Sequence, residues 1–449
     1  MIPDILEKRA LECPDKYFID IYGELFTYVD FNLYVNSIIS SNIIPSKAKR
    51  VAINVKSDKM KIAYLIACNR LGVIPVILPP GRLMAEDCKQ ISDADCEISE
   101  NNCSIQVKKE KKYYHYHYND NDVQCVLFTS GSLGKPKGVE LTFSNIYNSA
   151  INWSKIYSFN KNDIYLNILP IHHISGLSIF FRSLYFNFHS IITDYNNNKI
   201  LNLICEKQVT CLSIVPKMLY DLMIIKSTED ILKNIKFLLI GGDSILKKHF
   251  NYLKNNNINA YVSYGATETC SGIAGYWVAD QVKFSPGFIG SPHLNVQLSV
   301  NNEFLQVASN TVMKRYCRDS LSDKVLIMED KVKIVSGKFY FTGKLPHKIN
   351  TGGENVNLKY MQNLFDECNL RNEVVVTSLE NIKWGDIIVL AYKSSCKDIE
   401  FIDEIDQLCE KSFPDFMHPK YIVNIPEIPK HANKKNNYKK IKNYIKDYI

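Results

Sequence analysis

The chain has no long uninterrupted apolar run. Its most apolar window, residues 62–79, is broken by Asn69, Arg70, Gly72 and Pro75. It reads as a helix, a turn and a buried strand rather than a membrane span. The first residues, MIPDILEKRALECPDK, are charged and hold no apolar signal core. None of the 13 cysteines forms a Cys-x-x-Cys pair. An odd, scattered set fits free thiols in a reducing compartment. Neither charge dominates: 54 Lys+Arg against 47 Asp+Glu leave +7, much of it near the C-terminus. That excess does not argue for nucleic acid, but it is compatible with a polyphosphate ligand. There is no internal repeat. These features lead us to expect a soluble cytoplasmic protein (or a stromal one, were the gene plastid-borne), with no membrane span.

At 449 residues the chain has room for two or three domains. Short β-type runs at 51–55, 73–78, 123–128, 190–193, 211–215 and 237–239 alternate with helical patterns such as 60–71 and 143–157. This predicts an α/β fold with mainly parallel sheets. After residue 281 short strands and turns suggest a small β-rich subdomain. From about 346 a further set of β and α runs suffices for a small α+β domain. The basic, Tyr-rich tail from 430 reads as a solvated helix end. His115 and His117, in the polar segment 108–122, read as a solvated strand or loop rather than metal ligands.

Residues 127–139, LFTSGSLGKPKGV, follow a buried strand. Gly131, Gly134 and Gly138 would let the backbone approach an anion. Thr129, Ser130 and Ser132 would donate hydroxyls, and Lys135 and Lys137 would supply charge. It is not a Walker A loop, because Pro136 follows Lys135. A second segment, YGATET at 264–269, follows a strand at 260–263. There Glu268 could hold Mg²⁺ and Thr267 could donate to a phosphate oxygen. A third, GKLPHKINTGGENV at 343–356, has a double glycine marking close approach of a ligand or another backbone. A fourth is PKHANKK at 429–435.

In this order the four segments resemble the acyl-adenylate-forming superfamily of acyl-CoA and aryl-CoA ligases, luciferases and adenylation domains, over essentially the whole chain. LPIHHISGLS at 169–178 resembles the corresponding stretch of the o-succinylbenzoate–CoA ligases of menaquinone or phylloquinone biosynthesis. The resemblance implies a large N-terminal domain, 1–343, of parallel α/β sheets plus the β-rich subdomain. A small mobile α+β domain, 344–449, would follow. It implies ATP, Mg²⁺ and coenzyme A acting with a small carboxylic acid.

Carried over residue by residue, the resemblance gives these roles. The 129–138 loop wraps the ATP phosphates, Thr267 contacts the α-phosphate and Glu268 binds Mg²⁺. Gly241, Gly242 and Asp243, with Tyr264, Gly265 and Ala266, frame the adenine and the acyl carboxylate. Asp330 takes the ribose hydroxyls, with Lys344 beside it. Lys435 closes over the site during adenylation, and His173 lies beside the acyl pocket with His172 next to it. Ser175, Gly176 and Leu177 line that pocket. Arg182 either reaches a second substrate carboxylate or is solvated on a helix face. The small domain rotates between half-reactions and brings Gly352 and Gly353 to line a pantetheine tunnel.

The sequence departs from the superfamily at four places. Lys344 stands where Arg is usual, which keeps charge but loses the bidentate fork. Pro346 and His347 replace acidic hinge residues, Lys434 replaces a glycine, and Leu133 replaces a threonine. Alternatives to free CoA ligation of o-succinylbenzoate are another aryl or fatty acid, a carrier-protein acceptor, or a non-catalytic nucleotide-binding relative.

Overall fold

The computed structural model describes residues 2–101, 114–130, 135–321, 324–344, 347–368, 370–394, 398–430 and 436–449. Two sheets form the large part of the molecule. The first runs, in spatial order, Arg315–Tyr316, Pro136–Thr142, Val123–Ser130, Ile74–Ile77, Arg50–Asn54 and Cys96–Ser99. The second has nine strands. Its centre is the parallel run His189–Ile192, Ile164–Asn167, Cys211–Ile214, Phe237–Ile240 and Ala260–Ala266. Strands such as FLLI and CLSI are buried at every position. They read as continuous apolar runs because helices cover both faces of a parallel sheet. The α/β class with mainly parallel sheets is as the sequence predicts.

A four-stranded antiparallel sheet follows: Val296–Asn301, Phe304–Ser309, Val325–Val335 and Lys338–Lys344. After Lys344 the chain builds a separate sheet from Lys348–Thr351, Glu354–Asn357, Val374–Asn381, Gly385–Tyr392 and Tyr421–Asn424. The helices Leu358–Glu367, Ile399–Ser412 and Tyr438–Lys446 flank it. The tail is not a solvated helix end. Ile441 and Ile445 are both 0% exposed and pack with Val375, Val389 and Ile425. Its lysines are the polar face of an amphipathic helix. Among the described residues, no helix is long and apolar enough to cross a membrane.

Local chemistry sets the helix that steadies the site. Thr142 and Asn145 form a reciprocal cap at the start of Phe143–Ile156. The Asn145 amide also donates to the carbonyls of Asn310 and Val312. Next in sequence, the Met313 N–H donates to the Glu268 carbonyl at 2.8 Å. One helix cap thereby fixes a loop that holds a candidate metal-binding carboxylate.

Candidate active site

The strands Val123–Ser130 and Pro136–Thr142 pair antiparallel, with Thr129 opposite Lys137 and Ser130 opposite Pro136. The strands before and after the glycine-rich segment are therefore paired up to Ser130 and Pro136. Gly131, Ser132, Leu133 and Gly134 lie outside the described residues, as do Pro346, Lys434 and Lys435. Thr129 and Lys137 face a cleft of about 270 Å³, with Gly242, Asp243, Tyr264, Gly265, Ala266, Thr267, Glu268, Asp330 and Lys344. Two of the loop residues fall elsewhere. Lys135 is exposed and is not part of this lining. Gly138 is buried in its strand, where an added Cβ would lie 2.7 Å from Cys317 Sγ. Its missing side chain makes room for a cysteine, not for an anion.

Glu268 sits on the short turn Thr267–Thr269 at the end of the strand Ala260–Ala266. Its Oε1 accepts from the Tyr316 hydroxyl at 3.0 Å and from Thr129 Oγ1 at 3.3 Å. Both donors bond the same oxygen; among the described residues none bonds Oε2. Tyr264 donates to Asp330 Oδ2 at 2.6 Å. Burial, and then the Asp330 charge, push that phenol far up, so it stays a donor. Lys137 lies 3.0 Å from Glu329 Oε1, and Lys348 reaches the other oxygen of the same carboxylate. Burial raises the Glu329 carboxyl, but Lys348 and Lys137 outweigh it and hold the group below its ordinary range. Two cations are thus fixed at one wall of the cleft. Lys344 bonds the Asn355 amide oxygen.

Asp243 borders the cleft against the small domain. Burial pushes its carboxyl up to about 6. The Ser244 N–H and Lys344 pull the other way, and Asp386 adds to the rise.

A second, larger cavity of about 750 Å³ shares Thr129, Gly242, Gly265, Ala266 and Thr267 with the first. His172, His173 and Ser175 line it, as do Gly241, Gly352 and Gly353. Gly176 and Leu177 do not. Leu177 is 0% exposed in the main core, and an added Cβ on Gly176 would lie 2.3 Å from the Leu169 carbonyl. Helix periodicity explains this, since one face of the turn lines the cavity and the next two positions face inward. Burial holds the His172 imidazole well below its ordinary pKa, with His173 and Lys61 adding to the effect. His173, the residue before the helix Ile174–Phe186, lies 3.2 Å from the Glu354 carboxylate of the small domain.

At the far end stands Arg182. It is 1% exposed, so it is not solvated on a helix face. Its Nε and Nη2 donate to the Ser178 carbonyl and hydroxyl, both at 3.1 Å. Nη1 has no hydrogen bond among the described residues. The guanidinium lies 5.2 Å from the Trp153 ring and 5.7 Å from Tyr165, whose hydroxyl is engaged with Ser213. Among the described residues no carboxylate pairs with it. Trp153, Ser213 and Gly272 line the cavity with it.

Sequence reasoning missed Tyr316, Lys348 and Glu354. Strand pairing of Arg315–Tyr316 with Val139 and Glu140 brings in Tyr316. Docking of the small domain brings in the other two. The available signal was that Lys348 and Glu354 lie in the segment 343–356, on either side of the double glycine.

A polar cleft with fixed cations and a metal-suited carboxylate, opening into an acyl-sized cavity, defines an enzyme that activates one substrate with a nucleotide. The chain belongs to the AMP-binding enzyme family, whose model matches residues 85–311. It is 24% identical to the 2-succinylbenzoate–CoA ligase of Bacillus cereus, with 97% of each chain covered. Its fold resembles that of o-succinylbenzoate CoA synthetase from Bacillus subtilis. The double mutant bound with its product analogue OSB-NCoA gives a TM-score of 0.85, at 21% identity over 98% of both chains. The same enzyme with ATP and magnesium ion gives 0.70, at 21% identity over 96% of this chain and 98% of the other.

Proposed function

We propose that the protein is an AMP-forming acid–CoA ligase acting on o-succinylbenzoate in menaquinone or phylloquinone biosynthesis. The carrying observation is Arg182, a buried cation that has, among the described residues, a free donor and no carboxylate partner, at the bottom of the acyl cavity. The ring contacts and the two bonds to Ser178 offset only part of the cost of burying such a charge, so an anionic group of the substrate is its natural partner. o-Succinylbenzoate has two carboxylates. The ring carboxylate would meet Arg182 while the succinyl carboxylate reaches the nucleotide cleft.

There the carboxylate attacks the α-phosphorus of ATP, and pyrophosphate leaves. Lys137 and Lys348 supply positive charge at the cleft wall, and Thr129 and Thr267 supply hydroxyls. Asp330, oriented by Tyr264, suits the ribose, and Lys435 closes the site in this step. The free oxygen of Glu268 fits Mg²⁺, which when bound would neutralise phosphate charge. In the second step the pantetheine thiol of CoA attacks the acyl-adenylate carbonyl and AMP leaves. Gly352 and Gly353 at the cavity wall suit a narrow path for that arm. Lys420, 4.5 Å from the Trp384 ring, offers charge for the CoA phosphates. The large domain is residues 1–343 and the lid 344–449, and the protein works in the cytoplasm.

The test is an assay with ATP, Mg²⁺, CoA and o-succinylbenzoate, following AMP and thioester by mass. AMP with o-succinylbenzoyl-CoA is expected. Turnover with other acids but not this one would discard the substrate and keep the chemistry.

A further inference from the structure

Asp221 lies on the helix Pro216–Met223 of the large domain and is 4% exposed. Its Oδ2 is 2.7 Å from Lys217 Nζ, one helical turn away. Its Oδ1 is 2.7 Å from Lys383 Nζ, which belongs to the small domain. Lys383 sits in the tight turn between the strands Val374–Asn381 and Gly385–Tyr392. The Asn381 side chain accepts from the Lys383 and Trp384 N–H groups and so makes that turn rigid. Trp384 in turn supports the double-glycine loop. Its carbonyl accepts from the Gly352 N–H at 2.8 Å, and an added Cβ on Gly352 would be 2.9 Å from its ring. A continuous chain of contacts therefore runs from a buried carboxylate, through one lysine and one indole, to the loop at the cavity wall. Asp221 touches neither the nucleotide cleft nor the acyl cavity.

We propose that Asp221 is a positioning residue for thioester formation: it latches the Lys383–Trp384 turn and so holds Gly352 and Gly353 at the acyl cavity. This rests on the reading above, in which the small domain serves the two half-reactions in different orientations. A buried acceptor meeting a cation from the other domain stabilises only the docking that brings them together. Any other orientation of the small domain takes Lys383 away. The latch therefore favours thioester formation, and its loss does not slow adenylation.

The experiment compares the wild type with Asp221→Asn, Lys383→Met and the double variant. Adenylation is read by ATP–pyrophosphate exchange. Thioester formation is read in single turnover from supplied o-succinylbenzoyl-adenylate and CoA. Asp221→Asn is isosteric, and Lys383 is half exposed, so folding is not at stake. Expected is a fall of about five- to twentyfold in the thioester rate at saturating CoA, with exchange no slower than in the wild type. The double variant should lose no more than the worse single, because both remove one interaction. Equal slowing of both half-reactions, or losses that multiply, would overturn the latch. Hydrogen exchange over residues 216–223 reads the docking with no substrate present. It should quicken in both single variants, and unchanged exchange would count against the proposal. Failure of the wild type to use the adenylate would instead count against the substrate reading, leaving the exchange result to judge the latch.

Discussion

Replacing Arg182 by Met should separate substrate recognition from stability, because the two are expected to move in opposite directions. The side chain is 1% exposed and lies among Trp153, Phe159 and Tyr165, with the guanidinium 5.2 to 6.0 Å from their rings. Burial lowers its pKa, although the Tyr165 hydroxyl and Cys211 partly offset this. In the free protein the charge costs several kcal/mol of desolvation, offset by cation–π contacts worth about 0.5–2 kcal/mol each and two bonds to Ser178. Met is of similar length and needs no partner, so the variant should melt no lower than the wild type. A bound ring carboxylate would then be buried with no cation. Breaking such a pair costs about 3–5 kcal/mol, or between two and four orders of magnitude in kcat/KM. The assay is pyrophosphate release with o-succinylbenzoate and with 3-benzoylpropionate, the same acid without the ring carboxylate. The wild type should prefer the diacid, and Arg182→Met should lose that preference while keeping its rate on the monoacid. A fall on both acids together with a lower melting temperature would mean that Arg182 is a packing residue. Undiminished use of the diacid would refute the assignment outright.

Gly353 has φ +96°, and an added Cβ would lie 2.6 Å from Val215 of the large domain. Gly353→Ala should therefore cut thioester formation at least a hundredfold while ATP–pyrophosphate exchange persists; loss of both would refute this. Lys435→Ala should abolish exchange yet largely spare thioester formation from supplied acyl-adenylate, and equal loss in the two assays would contradict it. Asp243 adds a pH dependence. Its carboxyl is raised to about 6 here from an ordinary 3.8, so its ionised form opposes this docking. The opposition is absent below about 3.8, grows up to about 6 and is constant above. From pH 5 to 7 the docking constant should fall, by at most about tenfold. Asp243→Asn should abolish that fall, as read by hydrogen exchange over residues 216–223 corrected for intrinsic rates.

The parallel sheets were legible because fully buried strands are short runs of Val, Ile, Leu and Phe bounded by turn residues. The order of the motifs was legible because each carries a type of residue that its chemistry requires. Contacts made by docking were not. Tyr316 reaches Glu268 only because a two-residue strand joins the far edge of another sheet. Gly138 misled because a glycine next to a phosphate loop and a glycine beside a buried cysteine look alike in one dimension. Arg182 left two readings open, since a helix of mixed composition does not say which face is covered. The tail lysines drew attention to charge, while Ile441 and Ile445, one helical turn apart, carried the packing.

The joint between the domains has the composition a reversible contact needs. The small domain keeps its own apolar cores, and among the described residues of the large domain only Met84 packs against one of them. What crosses the joint is mostly polar: Tyr360 to Asp87 at 2.8 Å, the Asn350 amide to the Gly242 carbonyl at 2.7 Å, His173 beside Glu354, and Lys383 to Asp221. Each of these groups can return to water at little cost, which a Leu or Phe could not. Two of the close approaches are made by glycines, Gly353 on Val215 and Gly81 on Pro414. A glycine leaves no exposed apolar surface when the contact opens. Docking strength then rests on a few directed interactions rather than on buried area. A single charge at Asp221 or Asp243 can therefore shift the balance of orientations without unfolding either domain.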